Sequence, residues 1–260
     1  MRFDSYAVMD PPDTDAGDQP PDSSRDPGLL RGIVRLVFLA AVLALLVGGV
    51  AYGPELLEDR GVLEDVEIND LPSPSPDPPP AGERNPDVAD PDDPGETTYE
   101  TDVETVSSVA VEDFVHAEVN DRRADHGLEP LEWDGTVASV SRAHSHDMAE
   151  RDYFAHENPE GEGPFDRFND VEGYCRGYGE NIALTWVERP VDGPGDGEAT
   201  THQTAAGLAT GLVDQWMNST EHRAAILEDH GGPAWDRGGV GVTITEEGAV
   251  YATHNFCTEW

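Results

Sequence analysis

From Leu36 to Gly53 the chain reads LVFLAAVLALLVGGVAYG, with no charged residue in the run. A helix of that length, apolar all round, has no polar stripe to turn toward water. It fits a lipid bilayer and not the core of a soluble domain. A cleaved signal peptide would begin nearer the N-terminus and close on an A-x-A-like site. Here the run ends in Ala51-Tyr52-Gly53, and the reading is an uncleaved signal anchor over residues 32–53. Arg25, Arg31 and Arg35 precede the span, while Glu55, Glu58 and Asp59 follow it. Positive charge stays on the cytoplasmic side, which predicts a single-pass protein of the cell membrane with an extracellular C-terminal domain.

The span divides the chain into unlike parts. Residues 1–31 are rich in Asp and Pro and poor in large apolar side chains, which predicts a disordered acidic cytoplasmic tail. Residues 54–105 carry LPSPSPDPPPAGERNPDVADPDDPGE, and proline at that density favours extended chain, so this part reads as a Pro/Asp-rich linker. The folded domain is expected over 106–260, where all 9 histidines, all 5 tryptophans and both cysteines lie. Across the whole chain 54 acidic residues face 15 basic ones, every one of them arginine, for a net charge of -39. Such a surface suits very high salt, where screening removes most self-repulsion. It argues against nucleic acid as a partner, because phosphate binding needs basic patches. Cys175 and Cys257 sit in no CxxC, so a cysteine zinc cluster is unsupported. Placed outside the membrane with no competing thiol, they are expected to pair with each other.

Within the domain, Val111, Phe114, Val115 and Val119 give a helix from about 109 to 125, stopped by Gly127. A second helix is expected over 134–151, capped by Asp134 with Val137, Val140 and Met148 inward. GLVDQWMNS reads as a third helix and TEHRAAIL as a short fourth capped by Ser219. Two runs of β-branched and aromatic residues around Glu246-Glu247-Gly248 read as a closing β-hairpin. Helices followed by a hairpin predict an α+β domain.

Six blocks in order, VNDRRADHGLEPLEWD, AHSHDMAERDYFAHENPEG, GYGENIA, WMNSTEHRAAIL, GVGV and VYATHNF, resemble the CAP superfamily (cysteine-rich secretory proteins, antigen five and pathogenesis-related proteins) in its prokaryotic single-domain form. The resemblance implies a three-layer α-β-α sandwich with a shallow cleft, which in better-known members carries two His and two Glu able to bind a divalent metal. His156 matches the first histidine and Glu180 the first glutamate, whereas Ser219 and Tyr251 stand where the other two would be. His222 and His254 are the neighbours that could compensate. Asn181 is expected to tie the GYGEN loop through its amide. A carboxylate beside an imidazole raises its proton affinity and fixes its tautomer, which suits a ligand or a base.

His156, Glu180 and His222 would together give three protein ligands and an open position, as in catalytic zinc sites, for a weakly bound metal. His144 and His146 are two apart on a helix and cannot share a face, so both are read as structural. His116, His126, His202 and His230 read as solvated. An acidic, Gly/Pro-rich insertion follows GENIA and reads as a solvated loop. No G-x-S-x-G and no HExxH occurs. The leading expectation is therefore a cell-surface binding module for a small molecule, lipid or protein. The alternative is a peptidase-like hydrolase using His156 and Glu180, with or without metal, and a third reading is an envelope protein with a relict cleft.

Overall fold

The computed structural model describes residues 73–192, 199–232 and 234–259. The expected tail, the span at 32–53 and the first part of the linker lie outside the described residues. Among the described residues no helix is long and apolar enough to cross a membrane.

Two short strands, β1 (Thr98–Glu100) and β2 (Thr105–Ser107), form a ladder that leads into α1 (Ser108–Asp125). Then come β3 (Glu132–Trp133), α2 (Gly135–Arg151), α3 (Pro164–Asp170) and β4 (Gly177–Trp186). A small ladder of β5 (Pro190–Val191) and β6 (Thr200–Thr201) precedes α4 (Ala205–Asn218), α5 (Thr220–Ile226), β7 (Arg237–Ile244) and β8 (Ala249–Thr258). The main sheet has the order β3-β7-β8-β4, parallel only at β3–β7. Helix α2 lies on one face, and α1 and α4 lie on the other. The domain is α+β, with a helix layer on each side of the sheet.

Local signals explain the elements. Ser107 Oγ accepts from the Ala110 amide to open α1, and Asp134 accepts from Val137 N at 3.0 Å to open α2. The stripes fall where their spacing puts them: Val111, Val115, Val119, Val137, Val140 and Met148 are fully buried. The Ser219 side chain makes no capping hydrogen bond at α5, although its carbonyl accepts from Arg223 N at 2.9 Å. Gly248, at φ 84°, closes the β7–β8 turn. Glycine in GGVGV is required by close approach. A Cβ on Gly239 would stand 2.2 Å from the Ala138 amide nitrogen, and one on Gly241 2.0 Å from that of Arg142. The α2 backbone therefore rests directly on β7.

Two expectations are corrected. GYGENIA is not a loop but the start of β4, an edge strand in antiparallel register with β8 from Gly177↔Thr258 to Trp186↔Ala249. Nor is the whole of 54–105 a spacer, because residues 73–105 bind the domain. Arg84 reaches Glu112 and Asp113, Asp113 accepts from Ala81 N, Glu83 O accepts from Trp133 Nε1, and Val88 O accepts from Thr136 Oγ1. Glu104 accepts from the amide of Ser75, and Arg142 pairs with Asp93 at 2.8 Å. These are polar anchors, which composition cannot reveal. Glu112 is fully buried beneath this strap, and burial lifts its carboxyl to about 7 against the pull of Arg142 and Arg84.

Cys175 and Cys257 form the expected disulfide, Cα atoms 5.5 Å apart, tying the segment before β4 to β8.

Candidate functional site

Strand geometry sorts the candidates. Alternate residues of β4 and β8 face opposite sides of the sheet. Glu180 pairs in register with Asn255, and Ile182 with Thr253; these point toward α2, where Asn255 and Thr253 bond Ser141 and Ser145. Asn181 pairs with His254, and both point the other way.

His254 is thus no part of the cleft. It is wholly buried against Trp216 and Phe256, with ring centroids 6.0 and 4.2 Å away. It lies three positions after Tyr251, an odd offset, so a strand cannot present both on one face. Asn181 is likewise removed from the Glu180 face, and its amide donates to His222 O at 3.0 Å, fastening α5 to the edge strand.

On the α2 side a compact cluster forms. His156 Nδ1 donates to Glu180 Oε1 at 2.9 Å. Arg167 Nη2 donates to Glu180 Oε2 at 2.8 Å, and both of its terminal nitrogens donate to His156 O at 3.2 Å. His144 Nε2 donates to Ala155 O at 3.1 Å and lies 3.9 Å from Glu180 Oε1. The carbonyl can only accept, so Nε2 carries the proton. The His156 side chain is 19% exposed, against 2% for Glu180.

Each contributor is placed by local chemistry. Asp152 ends α2 in the left-handed region at φ 54°, and Tyr153 N returns to Met148 O at 3.1 Å. The chain then bends through Asn158, whose side-chain oxygen accepts from the amides of Glu160 and Glu162. Pro164 starts α3 and Asp166 accepts from Gly163 N at 3.0 Å, fixing the helix that carries Arg167.

Electrostatics follow. Burial alone would raise the Glu180 pKa, but the Arg167 guanidinium, with the two imidazoles, outweighs it and holds the carboxyl well below the usual range. Burial pushes His144 down to about 4, so its ring is neutral. His222 is lowered too, by burial first and then by the charge interaction with His156. Its Nδ1 has no hydrogen-bond partner among the described residues.

The structure brings together His156 and Glu180, which the sequence reading pairs, and adds Arg167 and His144, which it does not. His146, two positions after His144 on the same helix, is only partly buried, its side chain 39% exposed. Arg167 had one legible signal, the Gly163-Pro164 start with Asp166 three residues after the glycine. His116 and His202, expected on the surface, are both buried, each 7% exposed.

A metal does not fit these residues as they stand. Both Glu180 oxygens are engaged, the near nitrogens of His144 and His156 present protons and not lone pairs, and a guanidinium stands beside the carboxylate. Among the described residues no group of three or more His, Cys, Asp or Glu is spaced to hold an ion. A separate hollow at the disulfide corner, lined by Glu172, Tyr174, Arg237, Cys257 and Glu259, contains none of the candidates.

Three exposed aromatics lie close in the chain to cluster residues. Among the described residues the exposed large apolar side chains are Phe154, Phe165 and Tyr178. Each precedes a cluster residue by two positions: His156, Arg167 and Glu180. Tyr178 packs between Phe165 and Phe168, 6.0 Å from each.

A model of the cysteine-rich secretory protein family (CAP) matches residues 116–256. The "Uncharacterized membrane protein YlbC" of Bacillus subtilis is 31% identical over 138 residues, covering 53% of this chain and 32% of that protein. "Uncharacterized protein YkwD" of the same organism is 31% identical over 132 residues, 51% of this chain and 41% of that one. The chain therefore spans well under half the length of these relatives. Among solved structures, an outer surface protein from Borrelia burgdorferi gives a TM-score of 0.47 at 16% identity, covering 63% of this chain and 98% of that one. An extracellular SCP-domain protein from Bacillus anthracis gives 0.42 at 24%, covering 60% and 47%.

Proposed function

Because this chain belongs to the cysteine-rich secretory protein family, its domain matched over residues 116–256, we propose that it is a cell-surface binding module. Its cleft centres on His156 and Glu180, and it is held outside the membrane by the span at 32–53. The observation that carries the binding reading is the coincidence of aromatic exposure with the polar cluster. Phe154, Phe165 and Tyr178 are 39, 55 and 37% exposed, each two positions before a cluster residue, and Phe165 and Tyr178 are in ring contact. Exposed apolar side chains together with fixed polar groups are the composition of a recognition surface.

A hydrolase with Glu180 itself as the general base is the weaker reading. A general base needs proton affinity near the working pH. Glu180 has the reverse, because Arg167 holds it ionised with both oxygens occupied. The extracellular placement is supported by the Cys175–Cys257 disulfide, which belongs to an oxidising compartment, and by the arginines ahead of the span. The name of the relative YlbC, a membrane protein, agrees with it.

A panel of labelled peptides, lipids and small glycans, offered to the full chain in molar salt, tests the proposal. One class is expected to bind the wild type and to lose at least about tenfold in affinity with Phe165→Ser combined with Phe154→Ser, near the loss typical of a buried aromatic anchor. Binding that ignores those substitutions would remove these aromatics from the account.

A further inference from the structure

We propose that Arg167 takes, in this chain, the place of a divalent cation at the His156–Glu180 pair. A carboxylate as buried as that of Glu180 requires positive charge close by. Arg167 supplies it at 2.8 Å on Oε2, while His156 Nδ1 takes Oε1 at 2.9 Å. The guanidinium does not wander to this position. It is pinned by the carbonyls of His156 at 3.2 Å and Glu162 at 3.3 Å, and carried by a helix whose Phe168 is buried in the core.

The rest of the cluster has adjusted to a donor-rich centre. His156 and His144 turn protonated nitrogens to oxygen acceptors, whereas a metal needs their lone pairs. Tyr251 lines the same face, in contact with Met148 and Ile182, and burial keeps its phenol protonated. Ser219 caps α5 through its backbone and brings no charge. The positive charge of this cleft is thus covalent and constant. Ligand recognition here would proceed without any dependence on metal supply.

Thermal unfolding of the full chain at fixed high salt tests this directly. The wild-type midpoint is expected to be the same in EDTA and in zinc, once any shift shared with His156→Ala, from the acidic surface, is subtracted. Arg167→Ala should unfold several degrees lower, and low-millimolar methylguanidinium or zinc should restore part of the loss. In Arg167→Ala/Glu180→Gln neither cation should act. A zinc-dependent rise in the wild type that needs His156 overturns the proposal, as does a folded Arg167→Ala indifferent to both cations. Should Arg167→Ala fail to fold, Arg167→Gln/Glu180→Gln decides. The double variant is expected to be more stable than Arg167→Gln alone, because it leaves no unpaired buried charge; a double no better than that single contradicts the proposal.

Discussion

His254 illustrates how one residue can carry more cost than function. Its ring is fully buried, and neither nitrogen has a partner among the described residues. Each orphaned polar group costs about 1–3 kcal/mol. Burial, with His116 and Arg123 nearby, holds its pKa well below the ordinary value, and burial puts His116 at about 4. A histidine with a lowered folded pKa takes up its proton more readily when unfolded. Stability is therefore complete above the unfolded value of about 6.5 and falls as pH drops toward 4. The buried Glu112, raised to about 7, works in the opposite direction and offsets part of that loss. His254→Leu is expected to stabilise the domain by about 1–2 kcal/mol and to flatten the decline between pH 6.5 and 4. Denaturant melts at several pH values check both; a destabilised variant with an unchanged pH slope would show that the ring has a hidden partner. His144, the other neutral histidine at about 4, belongs to the cleft instead and was illegible in the sequence. Helical spacing set it apart from His146, but nothing local announces that Glu180 arrives from β4.

At the scale of elements, α2 was the most legible, because capping by Asp134 and the apolar stripe set its start and its buried face, whereas its contact with β7 was not read. The contact depends on missing side chains. Gly241→Ala would drive a Cβ into the Ser141–Arg142 peptide at 2.0–2.2 Å, and backbone cannot yield as a side-chain tip can. Loss of at least about 3 kcal/mol is expected, above the common range for overpacking, as read from the unfolding midpoint. The strand β4 was less legible: its glycines and Asn181 speak for a loop, and only pairing with β8 makes it a strand. Helix α3 was missed although α5, equally short, was read: α3 opens on Gly163-Pro164, with no Ser, Thr, Asp or Asn at its N-cap to announce it. The strap over 73–97 was hidden for another reason. It is fastened by Arg84, Asp93 and backbone groups, so its proline-rich composition says nothing about its binding. A chain shortened to begin at residue 98 should melt well below one beginning at 73, since Glu112 then loses the Arg84 half of its counter-charge. Equal midpoints would demote the strap to a surface ornament.

On the scale of the whole molecule, the chain carries a net charge of -39, and among the described residues the only guanidinium contact to Glu180 comes from Arg167. In strong salt, exposed pairs are screened and buried ones far less, so the internal pairs at Glu112, Glu180 and Arg123 carry the electrostatics that survive. Protease added to intact cells is expected to release a fragment containing residues 98–260, given the proposed N-in anchor, and a domain protected until lysis would contradict that placement. The proposed cleft binds its ligand without turning it over. The most direct measurement of this is mass spectrometry of whichever panel member the full chain retains, after long incubation with wild type and with His156→Ala. The expected result is retention that needs His156, with the ligand recovered chemically intact. Cleaved ligand from the wild type, absent with His156→Ala, would make the protein a hydrolase and contradict the account.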